Sequence, residues 1–253
     1  LGFGTFVVGL VAGAQFAAGV QAAIDDLRRH GVRPAILIVD TVFSSDGVIP
    51  DPAGFLAPAV AAIRAAGGLF VADEVQPGFG RTGAGMWGFA RHGIVPDMVS
   101  MGKPMGNGYP VAGLALRPEV VADFGTSGRY FNTFGGNAVA AATAGAVLDV
   151  IEDEGLIDNA RTTGAYLAEG LRDLADRYRQ IGDVRAAGLF IGADIVTDGR
   201  ADARLTHRIV NDLRARRVLI SATGRHANTL KIRPPLVFAR DHAGVFLDRL
   251  EDV

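Results

Sequence analysis

The chain has no cysteine. Disulfides, thiolate metal sites and thiol catalysis are therefore excluded, and the absence suits a reducing, cytoplasmic setting. Charge of either sign is not in excess: the formal net charge is −2, which gives no reason to expect nucleic acid or an acidic membrane surface as a partner. The five histidines are scattered without ligand spacing, so no metal site is expected. There is a single tryptophan, and no internal repeat or low-complexity linker. What the chain has is apolar residues and glycine: 49% hydrophobic content and 34 glycines in 253 residues. That is ample for a large core in one or two domains.

The informative stretch runs from Gly68 to Gly113, GLFVADEVQPGFGRTGAGMWGFARHGIVPDMVSMGKPMGNGYPVAG. Two short apolar runs, Leu69–Ala72 and Met98–Met101, each stop on a polar residue in glycine-rich sequence. Such runs read as buried strands of a parallel sheet, and ligands of those sheets sit off the carboxyl ends of the strands. The first run delivers Asp73, Glu74 and Gln76, and the second delivers Lys103. A carboxylate and a lysine thus face one crevice. A desolvated lysine can attack a carbonyl to form a Schiff base. Pyridoxal phosphate (PLP) chemistry needs such a lysine, with an acidic residue holding the pyridine nitrogen protonated. Lys103 and Asp73 suit those roles, and Gln76 suits a hydrogen bond to the ring's 3-oxygen. Pro104 biases Lys103 toward extended backbone. A surface lysine and a helix-capping aspartate are the plainer alternative, and for a lone pair of residues they would be preferred.

The wording around these residues decides between them. ADEVQPGFGRTG, then Pro96–Asp97, MGKPMGNGYPVAG and FNTFGGN at Phe131–Asn137 resemble the class III aminotransferases, which are fold-type I PLP enzymes. SGRYFNTFGGN, VLDVIEDEGL, IGDVRAAGLFIG and VLISATGRHANTLKIRPPL are most similar to the alanine–glyoxylate aminotransferase 2-like branch, which includes ethanolamine-phosphate phospho-lyase and phosphohydroxylysine phospho-lyase. The resemblance runs from about Val20 to the C-terminus. It implies an α/β fold with a mostly parallel sheet, PLP as cofactor, Lys103 as the Schiff-base lysine, Asp73 as the pyridine-nitrogen partner and Gln76 as a ring contact. It also implies a homodimer in which Thr133 touches the cofactor phosphate of the neighbouring subunit.

Three departures bear on the reaction. Where many relatives carry Glu-Pro and a gating glutamate after the first strand, this chain has Asp40-Thr41 and Ser45. Where aminotransferases of this class hold the substrate carboxylate with the arginine of a terminal R-x-x-P-P motif, it has Lys231-Ile232-Arg233-Pro234-Pro235. Arg233 is the one candidate to replace that arginine, which leaves the aminotransferase alternative open, and Arg129 offers either a guanidinium for phosphate or a solvated surface charge. These changes suit a substrate without a carboxylate at that point, such as a phosphorylated amino alcohol. The expected reaction is elimination of phosphate, with amino transfer to a keto acid as the alternative. The resemblance places the enzyme's N-terminal part, with its Ser-Gly-Ser-type phosphate loop and ring-stacking aromatic, outside this sequence. A catalytically inactive piece is therefore a third reading.

Elsewhere the chain reads coarsely. Leu1–Ile24 is uncharged and holds Gly9-x-x-x-Gly13, a membrane-span pattern, but a buried segment leading into an amphipathic helix at Ala17–His30 is preferred. Residues 1–16 do not match the family. Ala35–Asp40 reads as a buried strand, Phe55–Ala66 as a helix, Ala112–Leu116 as a strand and Pro118–Phe124 as a helix. Ala138–Ile151 is so apolar that burial is expected. Gly78–Gly83 matches a dinucleotide fingerprint with Asp97 downstream, yet Pro77 and the glycines after it do not permit the required strand–loop–helix context. Gly155 marks a boundary between a PLP-binding domain over 1–155 and a small α+β domain over 156–253. That second part reads as a helix over Leu156–Gln180, strands Ile181–Arg185 and Leu189–Val196, a helix over Ala201–Arg216, strands Val218–Ser221 and Thr229–Ile232, and a helix from Asp241. His226, in the loop ATGRHAN, faces either the site or solvent.

Overall fold

The computed structural model describes residues 14–253, so Gly9-x-x-x-Gly13 lies outside the described residues. The described residues begin with helix α1 (Ala14–Arg29). Phe16, Val20 and Ile24 recur at helical spacing and are buried against α2 (Ala57–Ala65). Phe16 also meets Phe43 edge-on, with ring centroids 5.3 Å apart. None of the described helices is long and apolar enough to cross a membrane.

The first sheet has strand order β1 (Ile36–Asp40), β2 (Leu69–Asp73), β3 (Met98–Met101) and β4 (Gly113–Leu116). β1, β2 and β3 run parallel, and β4 closes the edge antiparallel to β3. The register sets Asp40 beside Asp73 and Asp73 beside Ser100, so three strands end at one level. Asp97 pins that register. Its buried carboxylate accepts the backbone N–H of Phe70 at 2.8 Å and pairs with Arg64 at 3.1 Å and Arg117 at 3.2 Å. Gly78–Gly83 lies in a run of turns with no helix opening from it. The fingerprint's structural context is absent, and Asp97 has this structural task instead.

After α3 (Pro118–Ser127) and α4 (Ala138–Asp153), Gly155 at φ +61 turns the chain into α5 (Leu156–Arg177). The second sheet is antiparallel, in the order β5 (Ile181–Ala187), β6 (Phe190–Thr197), β9 (Thr229–Ile232), β8 (Ser221–Thr223), with the short β7 (Arg200–Ala201) on β6. It packs against α5, α6 (Ala203–Ala215) and α7 (Arg240–Glu251). Leu167, Leu171 and Leu174 form the buried stripe of α5. Arg185 joins this sheet to the loop after β1: it donates to the carbonyls of Gly47 at 2.8 Å and Val48 at 3.0 Å while pairing with Asp194.

Several expectations are corrected. α4 is not buried: only Ala140 and Ile151 are, while Val139, Leu148 and Val150 are exposed. Apolar composition shows that a face needs a partner, and no described element supplies one. Likewise β1 is covered on one face only, leaving Ile36 and Ile38 exposed. The strand expected over Val218–Ser221 begins at Ser221, because Arg217 at φ +66 ends the α6 turn and Leu219 points to solvent. β7 takes Ala201 from the expected start of α6.

The tightest backbone approach is that of α5 to the β5–β6 turn. A Cβ on Gly164 would lie 2.2 Å from the carbonyl carbon of Gly188, and backbone cannot yield as a side-chain tip can. Gly164→Ala is expected to cost about 3 kcal/mol and to lower the melting temperature by roughly 10 °C. An unchanged melting curve would contradict this account of the packing.

Candidate active site

The site is built where β2 and β3 end. Asp73 is the last residue of β2 and is half-buried. Its Oδ1 accepts the Val75 N–H at 3.0 Å and the Ser100 hydroxyl at 3.4 Å. Its Oδ2 accepts no hydrogen bond among the described residues and is free to hold a ligand N–H. Lys103 lies just beyond β3, on the first residue of a 3-10 turn, Lys103–Gly106. The sequence predicts extended backbone there. The structure corrects this: Lys103 has φ +34, in the left-handed region that a non-glycine residue enters at a cost of about 1–3 kcal/mol. Pro104 disfavours the right-handed helical region, and the 3-10 turn requires a sharp reversal, so the lysine takes the remaining conformation. Lys103 is also exposed, not desolvated, and makes no hydrogen bond or ion pair among the described residues.

Lys103 and Lys231 are the only two lysines in the chain. Lys231, on β9, is buried. Its ammonium lies 5.6 Å from the Phe190 ring centroid and donates to Gln76 Oε1 at 3.1 Å. Burial pushes its pKa down, as do the Arg233 and Lys103 charges, while Asp40 and Asp46 oppose them. The Gln76 amide nitrogen donates to Ser44 Oγ, and the Ser44 hydroxyl donates to Asp40 Oδ2. Burial raises the pKa of Asp40, helped by the neighbouring Asp73 charge and opposed by hydrogen bonds from Ser44 and Val42. Ser45, standing where a gating glutamate is expected, lies 3.5 Å from the Gln76 nitrogen.

A second cationic group lies close by. Arg81 donates to the carbonyls of Leu189 and Pro234, and burial with the Arg233 charge lowers its pKa to about 10. None of Lys103, Lys231, Arg233 and Arg81 forms an ion pair among the described residues. Sequence reading did not single out Arg81. The scarcity of lysine was the available signal that ties Lys231 to Lys103.

Behind the site is Glu74, which is fully buried. Its carboxylate accepts the Thr41 hydroxyl at 2.9 Å and the N–H groups of Gly88 at 2.7 Å and Phe89 at 2.8 Å. Burial lifts its pKa to about 7 against those bonds. Thr41 O meets His92 Nε2 at 2.9 Å, and burial lowers the His92 pKa. Glu74 thereby ties β2, the end of β1 and the turn at Gly88 together. Trp87 packs edge-on to Phe79 at 5.3 Å, as a packing residue. Arg129 and Thr133 lie on an exposed loop over residues 128–137 and make no hydrogen bond to the cluster. His226 is exposed between β8 and β9.

The arrangement fits PLP. An unpaired lysine, a carboxylate with one unengaged oxygen and a neighbouring amide are the groups that its aldehyde, ring nitrogen and ring oxygen require.

Residues 14–253 match the sequence model of the class III aminotransferases, a PLP-dependent family. An alanine–glyoxylate aminotransferase 2-like protein of Drosophila melanogaster is 41% identical over 93% of this chain and 49% of its own length. An ethanolamine-phosphate phospho-lyase homologue of Caenorhabditis elegans is 38% identical over 90% of this chain and 50% of its own. Among solved structures, a phospholyase from Arthrobacter in complex with phosphoethanolamine superposes with a TM-score of 0.91 at 43% identity, over 94% of this chain and 57% of that one. The chain thus spans about half the length of the curated relatives it matches.

Glu74 has a pH signature. Its folded-state pKa of about 7 stands above the ordinary 4.5, so the folded state binds the proton more tightly. Its contribution to stability is full below pH 4.5 and is lost as pH rises through about 7. Glu74→Gln places an amide donor against the donors at Gly88 or Phe89. It is expected to cost about 1–3 kcal/mol and to flatten that part of the pH dependence. Urea unfolding between pH 4.5 and 7.5 reads both, and an unchanged slope would contradict the assignment.

Proposed function

The chain belongs to the class III aminotransferase family, and on that premise we propose that it is part of a PLP-dependent phospho-lyase acting on a phosphorylated amine such as ethanolamine phosphate. The observation that carries this reading is the pair of cations on β9 and just after it. Lys231 and Arg233 have no carboxylate partner among the described residues, and Lys231 senses the charge of Lys103. A dianionic phosphate is the ligand that relieves such a cluster. The likeness to the Arthrobacter structure with phosphoethanolamine supports it. Replacement of the carboxylate-binding arginine by Lys231 supports it as well.

Asp73 Oδ2 would hold the ring nitrogen and keep it protonated, Gln76 would contact the ring oxygen, and Lys103 would carry the aldehyde carbon. When bound, PLP supplies the electron sink that makes a Cα proton acidic. Once the substrate amine has displaced Lys103 from the aldehyde carbon, the freed Lys103 amine would take the Cα proton, and the Cα–H electron pair would expel the phosphate as the Cβ–O bond breaks. Lys231 and Arg233 take the charge on the departing oxygen. Water completes the net conversion to aldehyde, ammonia and phosphate.

Thr133 and Arg129 enter this reading through a second copy. Their loop exposes Tyr130, Phe131 and Phe134, a surface suited to a homodimer partner, with Thr133 serving the cofactor phosphate across the interface. The alternative, amino transfer to a keto acid, draws on the names of several relatives.

The chain supplied with PLP and phosphoethanolamine is expected to release phosphate with no keto acid present. Lys231→Ala is expected to lower kcat/KM at least tenfold. Turnover only with added keto acid, or equal rates for the variant, would contradict the lyase reading.

A further inference from the structure

The hydrogen bonds that run from Lys231 have one direction. Lysine is donor-only, so the oxygen of Gln76 must face it. The Gln76 nitrogen then donates to Ser44, and the Ser44 hydroxyl donates to Asp40. Three consecutive bonds thus connect an ammonium on β9 to a carboxylate at the end of β1, passing through the side chain that follows β2. Asp40 is already served by its own turn, with Oδ1 accepting Val42 N–H at 3.1 Å and Oδ2 accepting Ser44 N–H at 3.0 Å. The Ser44 hydroxyl adds a third bond to the Asp40 carboxylate, and through the Gln76 amide it reaches beyond the turn. That reach is the link to Lys231.

We infer that Ser44 and Asp40 are positioning residues for anion binding at Lys231, acting through Gln76. This rests on reading Lys231 as an anchor for the substrate phosphate. A direct ion pair between a lysine and a buried aspartate would neutralise the ammonium and compete with any incoming anion. Interposing an amide and a hydroxyl changes that balance. The carboxylate orients and polarises the chain of donors, one ammonium hydrogen is committed to Gln76, and two remain for an anion. The same carboxylate stands beside Asp73 in the strand register, so one cluster fixes the cofactor-facing acid and the phosphate-facing cation. Ser44 is fully buried, which leaves its hydroxyl no water to substitute for the relay.

Because the chain has only two lysines, amine labelling resolves each of them. The chain is treated with trinitrobenzenesulfonate across a series of inorganic phosphate concentrations, and labelling of the Lys231 peptide is read by mass spectrometry. Phosphate is expected to protect Lys231 in the wild type. In Ser44→Ala, which keeps both backbone bonds to Asp40, the protection midpoint is expected to rise about tenfold. Thr223→Val provides the control. It removes a 2.8 Å hydrogen bond to Ser45 O in the same loop without touching the relay, and its midpoint is expected to match the wild type. Equal midpoints for Ser44→Ala and wild type would overturn the relay, and so would a rise in Thr223→Val as large as that in Ser44→Ala. No protection in the wild type would instead overturn the reading of Lys231 as a phosphate anchor, and the relay with it.

Discussion

The parallel register of β1, β2 and β3 is the constraint on which the site depends. Side chains along a strand alternate faces, and a slip of one residue would send Asp73 to the wrong side of the sheet. The register is held away from the site by Asp97, which draws Arg64, Arg117 and the Phe70 amide to one buried carboxylate. Breaking one partner from a buried charge costs several kcal/mol, so the anchor is firm where the chemistry is not. With the strand ends level, Asp40, Asp73 and Ser100 share one edge. The turns after them deliver Ser44, Gln76 and Lys103.

Charge is distributed by type as well as by sign. Two arginines serve structure: Arg185 links the second sheet to the loop after β1, and Arg81 caps the carbonyls of Leu189 and Pro234. The two lysines are both at the site. Lysine is a compact charge whose pKa moves readily with burial, while the guanidinium stays charged and forks onto planar partners. A lysine at position 231 therefore lacks the bidentate fork with which an arginine would grip a substrate carboxylate. Two local features carry strain or desolvation cost, namely Lys103 at positive φ and the buried Glu74 carboxylate. Both stand at the point where β2 and β3 give way to loops.

Much of this was legible in the sequence because its signals are local. The apolar runs ending at Asp73 and before Lys103, the amphipathic spacing of α5 and the family wording all depend on near neighbours. The class III assignment and the α/β fold follow from them, and the comparisons bear both out. What escaped was set by distant groups. The Lys231–Gln76–Ser44 chain joins residues far apart in sequence, and no pattern within one strand announces it. Glu74 received no role from sequence, because its three donors come from Thr41 and the turn at Gly88. The left-handed Lys103 was missed because Pro104 excludes one backbone region without choosing between the others. The exposure of α4 was missed because composition records an appetite for burial and not which element satisfies it.

The central claim is that Lys103 holds PLP against Asp73. The visible absorption spectrum of the purified chain with added PLP, compared with that of Lys103→Ala, tests it most directly. The account predicts an absorption band of covalently held PLP in the wild type, resistant to gel filtration and absent from the variant. The same band in both proteins, or in neither, would contradict it.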